Sequence, residues 1–211
     1  MSPLDIEAFA RTPLERTPYP WLFVPRFIRP EAFEGVVGDF PEIGGAGSYP
    51  PDELAMGPRF RAVLEELEAP PFRAQVEEKF GIDLATRATM VTVRGQIAQK
   101  NGDIHRDTDT KLITILIYFN RRWDEAGGRL RILRSDSDIE DYVAEIPPVE
   151  GNLLAFRVTA NSWHGHLPAV APRKAIQLNW VVDEGVVRRE LRRHRLSAKV
   201  KSLTGLLRAE R

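Results

Sequence analysis

The sequence predicts an α+β protein, mainly β, in which helices lead into a strand-rich core. Three observations predict it. Up to about residue 85, apolar residues recur at helical spacing between proline and glycine breaks. From residue 86 to 183, short β-branched and aromatic runs alternate with turn residues. From residue 184 the chain becomes basic and helical in pattern. Helices first and strands afterwards suggest a sandwich or barrel with helices packed on one side. The expected organisation is one domain over residues 1–183, helical to 85 and strand-built from 86, followed by a basic helical tail over 184–211.

The elements follow in order. "PYPWLFVPRFIRPEAFEGVVGDFP" reads as a short strand around Trp21–Val24, a turn, and a helix opening near Pro30. Proline suits a first helical turn because its missing N–H is not needed there. "GGAGSYPPDELAMG" is a loop by its glycine and proline density. "PRFRAVLEELEAPPFRAQVEEKFGI" reads as two helices broken at Pro70-Pro71, with Phe60, Val63, Leu64 and Leu67 on one face and Gly81 as the stop. The strands expected next are "TRATMVTVRGQIAQ", "KLITILIYFN", "GRLRIL", "NLLAF", "SWHGHL" and "RKAIQLNWVV". In the last, Ile176, Leu178, Trp180 and Val182 share one face, and Arg173, Ala175, Gln177 and Asn179 share the other. A half-exposed strand fits this alternation, and so does a strand with helices on one face and a polar cavity on the other.

Composition narrows the chemistry. A chain of 211 residues suits one well-cored domain. With no cysteine, disulfides, thiolate zinc sites and cysteine nucleophiles are excluded, so any metal must be held by imidazole and carboxylate groups. The N-terminal segment lacks a basic region followed by an apolar core, and no stretch reaches the roughly 20 apolar residues that span a bilayer. A cytoplasmic protein is expected. Thirty basic and thirty acidic side chains cancel, but nine Lys/Arg and three Asp/Glu fall in residues 184–211, leaving 21 against 27 elsewhere. Such a tail is suited to a solvated helix face, to an acidic surface, or to another subunit.

"GDIHRDTDTKLITILIYFN", residues 102–120, holds the most informative pair, His105 and Asp107. Residues i and i+2 of an extended segment point the same way, so both can reach one metal ion. Taken alone, such a pair is most often simply polar surface. A third ligand is available in "NSWHGHLPAV", from His164 or His166. Two imidazoles and one carboxylate on one octahedral face suit non-haem Fe(II) and leave positions open.

From about Val91 to Val182 the chain resembles the Fe(II)- and 2-oxoglutarate-dependent oxygenases, in particular the prolyl-4-hydroxylase-like branch. The resemblance rests on the order "HRD", "TILIYFN", "W" with "GGRLRIL", "GNLLAF", "SWHGHLP", and the arginine heading "RKAIQLNW". It implies a double-stranded β-helix, or jelly roll, with the site in its mouth. It implies His105, Asp107 and His164 as iron ligands, because His164 has Pro168 and Arg173 at the family spacing while His166 leaves the arginine too close. Arg173 would grip the distal carboxylate of 2-oxoglutarate with its planar fork. Tyr118, Thr114 and Leu130 match cosubstrate-pocket positions. Gln99 stands where many relatives carry a tyrosine.

The implied function is hydroxylation of an unactivated C–H bond in a small-molecule or peptidyl substrate, with dioxygen and 2-oxoglutarate consumed and succinate and CO2 released. Asp107 favours this over halogenation, since halogenating members replace that carboxylate with a small residue. Substrate contacts are expected from His166, Arg94, Gln96, Gln177 and Asn179. The alternative is a cupin-like metal-binding barrel, an isomerase or sugar-binding protein without 2-oxoglutarate, which has no reason for Arg173. A non-catalytic scaffold working through its basic tail is a third reading.

Overall fold

A computed structural model of the chain describes residues 2–98 and 102–189. The N-terminal half supplies α1 (Ile6–Arg11), β1 (Trp21–Val24), α2 (Pro30–Gly38), α3 (Pro58–Glu68) and α4 (Pro70–Phe80). Proline is the first residue of α2, α3 and α4, as its fixed φ and missing N–H allow. Helix α4 ends at Gly81, whose φ of 60° turns the chain left-handed while its N–H bonds Glu77 O at 2.9 Å.

The strands that follow are β2 (Ala88–Ile97), β3 (Lys111–Tyr118), β4 (Leu130–Leu133), β5 (Tyr142–Ile146), β6 (Leu153–Arg157), β7 (His164–Gly165) and β8 (Ala171–Val181). They form a five-stranded sheet in the order β1-β6-β3-β8-β2 and a three-stranded sheet in the order β5-β4-β7. All these pairings are antiparallel.

The alternation read in β8 has its cause here. Ile176, Leu178 and Trp180 join Ile113, Ile115 and Ile117 of β3 in a core shared with Phe9, Phe27, Phe60 and Phe72 of the helical half. Phe60 stands edge-on to Phe40 at 4.9 Å and to Phe119 at 5.5 Å between ring centres. On the opposite face, Leu116, Tyr118, Leu154, Phe156 and Ala175 meet Leu130, Ile132 and Ile146 of the small sheet. The five-stranded sheet is therefore covered on both faces. The polar residues of β8 point into a space between the sheets rather than into solvent.

Three expectations need correction. Strand β5 and helix α1 were not anticipated, and "SWHGHL" yields only the two residues of β7. Of β5 only Ile146 is buried, so the strand lacks the alternation that would reveal it. Helix α1 is six residues long, too short for a periodic stripe, and is set by Asp5, which accepts the Ala8 N–H at 2.9 Å. Residues 184–189 are helical, and the remainder of the predicted basic tail lies outside the described residues. No helix among the described residues is long and apolar enough to cross a membrane.

Candidate metal and cosubstrate site

The two-residue strand β7 owes its importance to its neighbours. On one side His164 is paired with Ile132 of β4; on the other it forms an isolated bridge with His105. Both backbone bonds of that bridge, His105 N to His164 O and His164 N to His105 O, are 2.9 Å. Directly opposed residues of an antiparallel pair present their side chains to the same face, and the two imidazoles lie 4.4 Å apart between centres. Each donates its Nδ1–H to a backbone carbonyl: His105 to Asp103 at 2.7 Å and His164 to Ser162 at 2.9 Å. The Nε2 lone pairs are thereby left as the free donors, the arrangement that fixes a metal-binding tautomer. His164 is buried, and that burial, assisted by His105, brings its pKa down to about 4. It is a neutral base at neutral pH.

Asp107 stands in the lead-in to β3 and lines the same cavity as the two histidines. Burial pushes its pKa up, but the Lys111 ammonium, the charge that His164 takes on in acid and hydrogen bonds from Lys111 and Thr114 outweigh this and bring it to about 2. Its Oδ1 accepts from Lys111 Nζ at 2.6 Å and its Oδ2 from Thr114 Oγ1 at 2.6 Å. Thr114 in turn accepts from Asn179 Nδ2 at 2.7 Å, and Asn179 Oδ1 accepts from Gln177 Nε2 at 3.1 Å. A line of amide and hydroxyl groups thus runs from β8 across β3 to the carboxylate. No three His, Cys, Asp or Glu side chains among the described residues stand together at metal-holding spacing. The two imidazoles are already opposed, and the carboxylate is the donor that Lys111 and Thr114 retain.

His105, Asp107, Thr114, His164 and Gln177 line a cavity of about 290 Å³. Its far wall carries Arg173, at the head of β8, whose Nη2 donates to Tyr118 Oη at 3.1 Å and whose guanidinium lies 5.0 Å from the centre of that ring. Tyr118 is fully buried, and burial raises its pKa against the opposing charges of Arg173 and Arg94, so the phenol stays protonated. Leu116 and Leu130 supply apolar wall. The approach of the loop before β4 is made possible by Gly127, where a Cβ would sit 2.2 Å from Pro168 O. This explains the double glycine ahead of "RLRIL".

Of the residues singled out in the sequence, His105, Asp107, His164, Arg173, Thr114, Leu130, His166, Arg94, Gln96 and Gln177 line the one cavity. Tyr118 meets it through Arg173, and Asn179 through Thr114. Gln99 lies outside the described residues. His166 is buried, which brings its pKa to about 4, and its Nδ1 bonds Leu167 O at 2.8 Å. Sequence reasoning missed Lys111, although its place four residues after Asp107 was a usable signal. It also missed Gly47 and Ser48, which reach the cavity from the loop ahead of α3 and carry no local signature.

Residues 94–182 match a family model described as the 2OG-Fe(II) oxygenase superfamily. The match spans 89 of the 211 residues, all in the strand-built part of the chain. Among solved structures, the chain is similar in fold to a prolyl-4-hydroxylase from Pseudomonas putida, at 15% identity, 83% of this chain, 96% of that chain and a TM-score of 0.55. A 2OG-Fe(II) oxygenase-family oxidoreductase from Burkholderia pseudomallei is similar at 10% identity, 83% and 90% coverage, and a TM-score of 0.53. No curated protein matches the chain. That superfamily uses Fe(II), 2-oxoglutarate and dioxygen. The donors present suit the metal. Two Nδ1-anchored imidazoles and one strongly acidic carboxylate form the nitrogen-and-oxygen set that Fe(II) favours.

Proposed function

We propose that this chain is a Fe(II)- and 2-oxoglutarate-dependent hydroxylase on a double-stranded β-helix, with His105, Asp107 and His164 holding the metal and Arg173 holding the cosubstrate. The observation that carries this reading is that the opposed imidazoles of His105 and His164, the carboxylate of Asp107 and the guanidinium of Arg173 line one cavity. When bound, Fe(II) and 2-oxoglutarate would, together with dioxygen, supply the chemistry that oxidises an unactivated C–H bond, one oxygen atom going to the product and the other to succinate, with release of CO2.

The chain's own residues prepare that chemistry. With Nδ1 held by a backbone carbonyl, His105 and His164 each keep Nε2 for the metal. Thr114 and Lys111 orient Asp107 and keep it ionised. Arg173 and the Tyr118 hydroxyl, already in contact, form a donor pair for a distant carboxylate, which would be costly to bury without them. Leu116 and Leu130 thin the water on the intervening wall. Asp107 fills the position that a halide would need, so the reaction is hydroxylation or a related oxidation.

The test is aerobic incubation with Fe(II) and 2-oxoglutarate, following succinate. Iron-dependent succinate release is expected without added substrate and should accelerate with the right one. A protein that binds Fe(II) yet neither binds nor consumes 2-oxoglutarate overturns the reading.

A further inference from the structure

Arg94 has a feature that metal and cosubstrate binding do not use. It stands on β2 opposite Ala175, whose short side chain leaves room for it. It lines the metal cavity, and it also lines a second cavity of about 200 Å³ on its other side. Ser48 and Gln177 complete the partition between the two. The second cavity is walled by Thr92, Thr108, Thr110, Lys111 and Asn179, with no carboxylate among the described residues that line it.

The charge balance is one-sided. Among the described residues lining the two cavities, Arg94, Arg173 and Lys111 are cationic and Asp107 alone is anionic, an excess of two positive charges before any histidine is counted. A ferrous ion and a 2-oxoglutarate dianion cancel each other, so their arrival leaves that excess in place. The Nε atoms of Arg94 and Arg173 are both buried and without a partner among the described residues. Burial and the neighbouring charge of Arg173 both lower the pKa of Arg94. Buried guanidinium N–H groups without an acceptor are costly, and an anion beside them removes the cost. Arg173 already has Tyr118 as its companion at the cosubstrate wall. Arg94 is the cation that faces the other way.

We propose that the substrate is a small acid, carrying a carboxylate or phosphate group, and that Arg94 receives this group at the partition between the two cavities. The inference rests on the oxygenase reading above and deepens it. The hydroxyls of Thr92, Thr108 and Thr110 and the amide of Asn179 are further donors for the same anion or for its polar substituents. The second cavity, at about 200 Å³, is below the range of roughly 300–1,000 Å³ that holds drug-sized ligands, so the group that enters it is small.

The experiment uses the full chain loaded with Fe(II) and saturated with 2-oxoglutarate under anaerobic conditions. Small acids (lactate, malate, aspartate, proline and glycerol 3-phosphate) are titrated by calorimetry beside neutral partners, the matching amides and glycerol. At least one acid should bind and its neutral partner should bind far more weakly. Arg94→Ala should weaken that acid by about ten- to a hundredfold, the worth of a charge-assisted hydrogen bond, while its 2-oxoglutarate affinity stays near wild type. Arg94→Lys should fall between. Retained 2-oxoglutarate binding certifies that each variant is folded. Equal binding of acid and amide, loss of 2-oxoglutarate rather than acid affinity in a folded Arg94→Ala protein, or no acid binding below about 10 mM overturns the inference. Absence of 2-oxoglutarate binding in the wild type instead overturns the oxygenase reading itself, so the two failures are distinct.

Discussion

Lys111 Nζ lies 2.6 Å from Asp107 Oδ1, so the carboxylate proposed as a metal ligand is already in an ion pair within its own chain. Only about a tenth of the Asp107 side chain and a sixth of the Lys111 side chain are exposed, so solvent screens the pair little. The pair keeps Asp107 ionised in a place where burial would otherwise protonate it.

The first prediction follows from this pair. Asp107 has a folded pKa of about 2, below its ordinary value, so its contribution to stability is present above about pH 4 and is lost as pH falls through about 2. Lys111→Met removes the largest cause of that depression. The variant should lose this contribution, on the order of 2 kcal/mol, at a higher pH than wild type. Acid unfolding of the metal-free protein, followed by tryptophan fluorescence, should therefore shift to higher pH. An unchanged midpoint would mean that Lys111 does not hold the carboxylate.

The second concerns the ligand set. Ala at His105, Asp107 or His164 should remove most Fe(II) binding, since each supplies one of three protein donors. His166→Ala should bind iron near wild type, because His166 takes no part in the bridge that opposes His105 and His164. Iron content after anaerobic loading and desalting checks this. A His166→Ala protein without iron beside an iron-loaded His164→Ala protein would reverse the assignment.

The third isolates Arg173. Breaking its pair with a buried carboxylate should cost about 3–5 kcal/mol, a loss of affinity on the order of a hundred- to a few thousandfold. Arg173→Ala should show that loss for 2-oxoglutarate with Fe(II) binding retained, and Arg173→Lys should fall between. Anaerobic titration of the metal-to-ligand absorbance band measures it. Wild-type affinity in Arg173→Ala would remove the main support for the cosubstrate assignment.

The fourth separates core from site. Phe60 is fully buried and stands edge-on to Phe40 and Phe119 in the helical layer. Phe60→Ala should destabilise the protein by about 3–5 kcal/mol in urea unfolding. Its 2-oxoglutarate affinity, measured where the protein remains folded, should stay near wild type. A selective loss of that affinity without destabilisation would place the coupling elsewhere.

The sequence by itself determined the helix-then-strand order, the faces of β3 and β8, and the residue types of the site. Each of these is written in local terms: a period of two or 3.6, a proline opening a helix, a histidine two residues from an aspartate. His105 and Asp107 were legible because they are neighbours in the chain. Sequence periodicity left open whether the polar face of β8 met solvent or a cavity. The small sheet decided it by covering that face, and no local pattern in β8 carries information about a sheet built from residues 130–165. The tertiary structure likewise opposed His105 to His164 across 59 residues, brought Arg94 beside Arg173, and set Ser48 in the partition between two cavities. These relations arise from strand register and loop approach, which depend on the packing of the whole chain. Charge pattern along the sequence could not reveal the excess of cations in the cavity, because burial and proximity, not count, make a charge costly.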